Sequence, residues 1–112
     1  MVSNHGGRQL DRSPVPLEIL GEIVKAVGNK VEVYLDGGVL SGQDVYAAIA
    51  LGAKAVMIGR SYLYGIMAGG ELGVNRVIEI LDRDLRNTMA LTGNINLNEV
   101  KKSRLEFGIT EI

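Results

Sequence analysis

Two short apolar runs, VEVYL (31–35) and AVMIG (55–59), are separated by a single amphipathic segment, and each ends in glycine and charge: DGG after the first, GR after the second. This spacing constrains the fold more than any other feature. VEVYL is β-branched and aromatic, as strands prefer. AVMIG is continuously apolar, the pattern of a strand buried on both faces. Between them GQDVYAAIALG (42–52) carries Val45, Ala48 and Ile49 at helical spacing, and Gly52 stops it. Strands joined by one helix pair in parallel through a right-handed crossover. The expected class is therefore α/β.

The flanks extend the same alternation. DRSPVP (11–16) reads as a turn, since Pro14 and Pro16 exclude a helix interior. Leu17, Leu20, Ile23, Val24 and Val27 then recur at helical spacing, with Gly28 and Asn29 as the stop. RSYLYGIMAGG (60–70) predicts a short helix. GVNRVIEILDRDLRNTMALTG (73–93) predicts a long amphipathic one whose apolar face is Val74, Val77, Ile78, Leu81, Leu85 and Met89. NLNEVKKSRLEF (96–107) predicts a last short helix and an irregular end. Two strands and a sliver of a third before SNHGGR leave strand edges unpaired, so the chain reads as one part, residues 1–112, of a larger sheet.

Composition narrows the function classes. At 112 residues the chain suits one modest domain, and its net charge of −1 offers no basic stripe for nucleic acid. With no cysteine there is no disulfide, thiolate metal site or cysteine nucleophile. MVSNHGG lacks the regions of a signal peptide, and no apolar run approaches membrane-spanning length, so a cytoplasmic setting is expected. Tyr34, Tyr46, Tyr62 and Tyr64 read as packing residues, and Met57, Met67 and Met89 as core filler. The mixed charges of LDRDLRN read as a solvated helix face with local ion pairs.

Polar and glycine residues recur at the carboxyl end of each strand: SNHGGR, DGG and GR. In parallel α/β sheets that edge binds ligands. Glycine there lets backbone N–H groups approach a phosphate, and Arg60 adds a planar, permanently charged fork. His5, the sole histidine, can take a proton near neutral pH, and Arg8 can clamp a carboxylate. Each feature has a plainer reading: a solvated histidine, a surface arginine, a tight turn in which Asp36 caps the next helix. Three such groups on one edge favour the functional reading.

SNHGGRQLD, LDGGVLSGQDVYAAIALGAKAVMIGR and YLYGIMAGGELGV together resemble the carboxyl-terminal portion of the FMN-dependent α-hydroxy-acid dehydrogenases and oxidases. The resemblance runs from Val2 to about Leu105, and RSYLYGIMAGG leans toward the L-lactate dehydrogenase branch. It implies the end of a TIM (β/α)8 barrel, from the close of strand six to helix eight, with FMN at the carboxyl face and a small 2-hydroxy acid as substrate. His5 falls on the family's catalytic base and Arg8 on its carboxylate-binding arginine. Ser3 matches a position near the flavin ring. Asp36, Gly37 and Gly38 match the flavin-binding loop, and Gly59 and Arg60 the phosphate pair. Leu40 stands where many members have a further phosphate-binding arginine, which shifts more of that charge to Arg60.

The resemblance also implies upstream groups outside these residues: flavin-ring contacts, a lysine, the histidine's aspartate partner and a second arginine. Alone, the chain is expected to be inactive, and to self-associate or pair with a complementing amino-terminal half. The alternative is a non-catalytic remnant that binds at most FMN or phosphate. Another phosphate-binding barrel with DGG and GR is a third reading, against which SNHGGRQLD stands.

Overall fold

The computed structural model describes residues 1–28, 30–101 and 105. Its elements run β1 (Val2–Ser3), α1 (Pro16–Val27), β2 (Tyr34–Asp36), α2 (Gly42–Ala50), β3 (Ala55–Met57) and α3 (Arg60–Leu91), with 3₁₀-length turns at His5–Gly7 and Leu97–Glu99. The strands form one parallel sheet in the order β1-β2-β3. The register pairs Val2 with Leu35 and Leu35 with Val56; one residue on, Ser3 pairs with Asp36 and Asp36 with Met57.

Side chains alternate across a strand, so this register sorts them onto two faces. Val2, Leu35 and Val56 lie on the face covered by helices. There they join Leu20, Val33, Val39, Ala48, Leu51 and Ala53, with Leu17, Ile23, Val24 and Val27 of α1 packed against them. The helical spacing read from 17–27 is thus the stripe that α1 buries. Ser3, Tyr34, Asp36 and Met57 lie on the other face, which no helix among the described residues covers; Tyr34 keeps 39% of its surface and Met57 47%. The expectation that AVMIG is buried on both faces is therefore corrected. A strand is enclosed only if a layer lies on each side, and among the described residues a layer lies on one.

Local chemistry sets the helix ends. Pro16 opens α1, where its fixed φ suits the first turn, and Gly28 closes it with its N–H on the Val24 carbonyl at 3.0 Å. Ser41, not Asp36, caps α2. Its Oγ accepts the Asp44 N–H at 3.2 Å while the Asp44 carboxylate accepts the Ser41 N–H at 2.8 Å, a reciprocal box. Asp36 is five residues too early for that role.

The long helix α3 breaks at Gly69–Gly70, where Gly70 adopts φ 57°, ψ −135°, a conformation that favours glycine. The two predicted helices, 60–70 and 73–93, are the segments on either side. They fold back closely: a Cβ on Gly65 would lie 2.8 Å from the Gly73 carbonyl oxygen. The second segment packs on α2. Gly42 is buried there and donates its N–H to Asp84 Oδ2 at 2.7 Å, and Tyr46 Oη donates to Asn94 Oδ1 at 2.8 Å.

The remaining sequence expectations divide. Tyr46 is buried as a packing residue, but Tyr34, Tyr62 and Tyr64 are exposed. Met89 is half-buried, whereas Met57 and Met67 are exposed, Met67 by 80%. Ile78 is also exposed, so the apolar stripe of α3 is narrower than its spacing suggests. Arg86 and Asp82 form the expected ion pair at 2.7 Å, but Asp84 leaves the solvated face to hold Gly42. Of the predicted last helix, the turn Leu97–Glu99 is present, and 102–104 and 106–107 lie outside the described residues.

Candidate functional site

The three polar segments predicted to share an edge do share it. Parallel pairing carries Ser3, Asp36 and Met57 to the same end of adjacent strands, and SNHGGR, DGG and GR continue from there. Ser3 Oγ donates to Asp36 Oδ2 at 2.6 Å and accepts the His5 N–H at 3.0 Å. One hydroxyl thus ties the end of β1, the end of β2 and the His5 turn together. Arg60 Nη2 donates to the Gly6 carbonyl at 3.3 Å, joining the start of α3 to that same turn.

The turn itself is unusual. His5, Gly6 and Gly7 have φ of 56°, 66° and 70°, three consecutive residues in the left-handed region. Glycine enters it freely, but histidine carries a steric cost of order 1–3 kcal/mol. That conformation holds the imidazole exposed at the strand-end edge. Arg8 is likewise exposed, and its guanidinium and the His5 ring have no hydrogen-bond partner among the described residues. The geometry brings Ser3, His5, Gly6, Asp36 and Arg60 into one bonded set. Arg8 stands beside it, joined only through its N–H on the His5 carbonyl at 3.4 Å.

The loop after β2 turns on Gly37 and Gly38, with φ of 107° and 78°. A Cβ on Gly38 or Gly59 would meet no atom within 4 Å, so the space before both backbones is open. Gly59 precedes α3 without a side-chain cap, leaving the first-turn N–H groups to a ligand. Open glycine backbone, an uncapped helix start and the exposed fork of Arg60 form a donor set that fits a phosphate monoester. Leu40, exposed, adds no charge.

Two residues of this edge escaped the sequence reading. Asn4 donates to the Pro14 carbonyl at 3.4 Å, and its Oδ1 lies 3.3 Å from where a Gly37 Cβ would stand, so it braces two loops. Ser61 is buried and donates to the Val39 carbonyl at 2.8 Å. The signal for Asn4 was its place between a strand end and HGG; Ser61 gave none, since a serine in a helical run is unremarkable without its partner.

Comparison with known proteins bears on the family and the fold. The sequence model of the FMN-dependent dehydrogenase family matches residues 1–107. A Mycobacterium tuberculosis protein provisionally named L-lactate dehydrogenase is 54% identical over 100 residues, 89% of this chain and 24% of its own. Human 2-hydroxyacid oxidase 1 is 52% identical over 103 residues, 92% of this chain and 28% of its own. A solved mandelate oxidase variant carrying a monooxide FMN adduct superimposes with a TM-score of 0.86 at 46% identity, over 90% of this chain and 32% of that one. The chain thus spans about a quarter to a third of these relatives. Their barrels place its three strands and their helices as part of a TIM barrel. With the family model, sequence identity and superposition in agreement, the chain belongs to the FMN-dependent dehydrogenase family, whose members oxidise 2-hydroxy acids with FMN.

Proposed function

We propose that this edge binds FMN and a small 2-hydroxy acid, L-lactate first among them, and contributes the base and carboxylate clamp for its oxidation to the 2-oxo acid. The observation that carries the reading is the bonded set Ser3–Asp36, Ser3–His5 and Gly6–Arg60, which gathers the three loops at one sheet edge. Lactate is favoured by the Mycobacterium tuberculosis relative's name and the RSYLYGIMAGG tract.

FMN, when bound, accepts the two electrons released by the substrate. Gly37, Gly38, Gly59 and Arg60 hold its phosphate, and Ser3 and Asp36 fix the strand ends near the ring. Arg8 takes the substrate carboxylate through paired N–H groups. His5 accepts a substrate proton at an imidazole nitrogen, and its left-handed backbone sets where that nitrogen stands. The open sheet face and the unpaired edges of β1 and β3 are covered in the working enzyme, by a complementing barrel segment or by another copy. Residues 1–112 act as one part of that barrel. A second reading, flavin or phosphate binding without turnover, is favoured by one observation: no carboxylate among the described residues bonds the His5 ring to fix its tautomer.

The first test incubates the chain with FMN, removes the excess and records the visible absorption. A retained flavin band is expected; a colourless protein overturns binding by this chain alone. In the complemented enzyme, His5→Ala should lower turnover by about 10²–10⁴-fold with flavin still bound. Turnover at the parent rate would show that another group is the base.

A further inference from the structure

We propose that Ser61 is a positioning residue for the flavin phosphate, pinning the glycine loop after β2 to the start of α3; this rests on the FMN reading above. The β2–β3 ladder ends at Asp36 and Met57. Beyond it the two segments diverge, one through Gly37 and Gly38 toward α2, the other through Ile58 and Gly59 into α3. Both parts of the phosphate donor set lie past the last paired residues. Glycine backbone with open space before it is free to swing, so something else must fix the distance between the two parts.

Ser61 supplies that link. Its Oγ donates to the Val39 carbonyl at 2.8 Å across 22 residues of chain, and no other hydrogen bond joins 37–40 to 58–62 among the described residues. The bond is shielded from water: Ser61 is 9% exposed, and Val39 is buried in the core. A serine at a helix start ordinarily serves the helix by accepting a first-turn N–H. Ser61 lies two residues past the cap position, Gly59, and spends its hydroxyl on the neighbouring loop. The α3 first turn therefore keeps its N–H groups for an anion while being held against the loop whose glycines face the same anion.

Riboflavin and FMN share a ring and differ by the phosphate, so the ratio of their dissociation constants isolates the phosphate contacts. The ratio is read by flavin fluorescence on titration with the 112-residue chain. Ser61→Ala should reduce the preference for FMN about five- to tenfold, the effect of one buried hydrogen bond, with riboflavin affinity unchanged. Ser61→Thr and Ser61→Val have the same bulk and differ in the hydroxyl, so they answer the same question if the alanine variant folds poorly. The threonine variant should keep the parent ratio within about twofold, and the valine variant should lose it.

Equal weakening of both flavins by Ser61→Ala or Ser61→Val would mark a general structural role and overturn the proposal. So would an unchanged ratio in a chain whose parent prefers FMN, leaving the FMN reading intact. If the parent binds FMN no more tightly than riboflavin, the phosphate reading itself falls, and Ser61 with it.

Discussion

The helix-covered face of the sheet and its open face are built from alternate residues of the same three strands, yet they are finished to different degrees. Leu35 on the covered face is 1% exposed and packs among side chains of β1, α1 and α2, while its neighbours Tyr34 and Asp36 look outward beside Met57. The covered face is satisfied by segments close in sequence, because each crossover helix folds back on the strands it joins. The open face can be covered only by something beyond these three strands. The polar strand ends sit along the rim of that open face, so the chemistry lies where the structure depends most on what covers it.

The comparison makes its largest prediction in a matched pair. Leu35→Ala should cost about 2–5 kcal/mol in denaturant unfolding, the lost transfer free energy plus a cavity. Met57→Ser, on the partner strand's open side, should stay within about 0.5 kcal/mol, as for an exposed position. If Met57→Ser costs as much as Leu35→Ala, the open face is covered in solution, and unfolding should then depend on protein concentration.

A second substitution tests the covered side at its tightest point. Gly42 donates to Asp84, and a Cβ built there would lie 2.7 Å from the Leu81 carbonyl oxygen and closer still to the backbone of 84–85. Backbone cannot yield as a flexible side-chain tip does, so Gly42→Ala should cost about 2–3 kcal/mol by forcing α2 from α3. A variant as stable as the parent would mean the two helices stand farther apart.

These sites also show what the sequence could and could not convey. The stripe at Leu17, Leu20, Ile23, Val24 and Val27 was legible because burial against a sheet imposes the helical period. The glycine and charge at strand ends were legible because parallel pairing brings such ends together whatever the partner. Met57 was misread, since an apolar run does not say whether both covering layers are at hand. Gly42, Asp84 and Ser61 were invisible for a different reason: each acts across 22 or more residues, on a contact that only the folded chain creates. Asp84 in particular sits in a run of alternating charges that looks uniformly solvated. In the candidate site, the residue types were readable, but the left-handed backbone of His5 was not.

That backbone gives the third prediction, on the rim between the faces. Histidine at φ 56° is tolerated with strain, and a β-branched residue is much worse there. His5→Val should cost about 1–2 kcal/mol, whereas His5→Gly should stay within about 0.5 kcal/mol as relief of strain offsets lost unfolded-state restriction. Equal stability of the two variants would mean that the turn is not held left-handed and the imidazole is not pre-positioned.

The smallest effect lies on the open face. Tyr34 Oη donates to Glu32 Oε2 at 2.8 Å, and that hydrogen bond, reinforced by the carboxylate's charge, raises the phenol above its ordinary pKa. The sign follows from which form the partner favours. Glu32 holds the neutral phenol, so its contribution is fully present below the ordinary phenol value of about 10 and disappears as pH rises through the higher folded value. An ultraviolet titration should find one tyrosine ionising late, and Glu32→Gln should bring it back toward about 10. Because the pair faces water, added salt should shrink the charge part of the shift. A shift indifferent to salt, or a Tyr34 that ionises only when the protein unfolds, would place this phenol under a covering layer and leave the sheet with two closed faces.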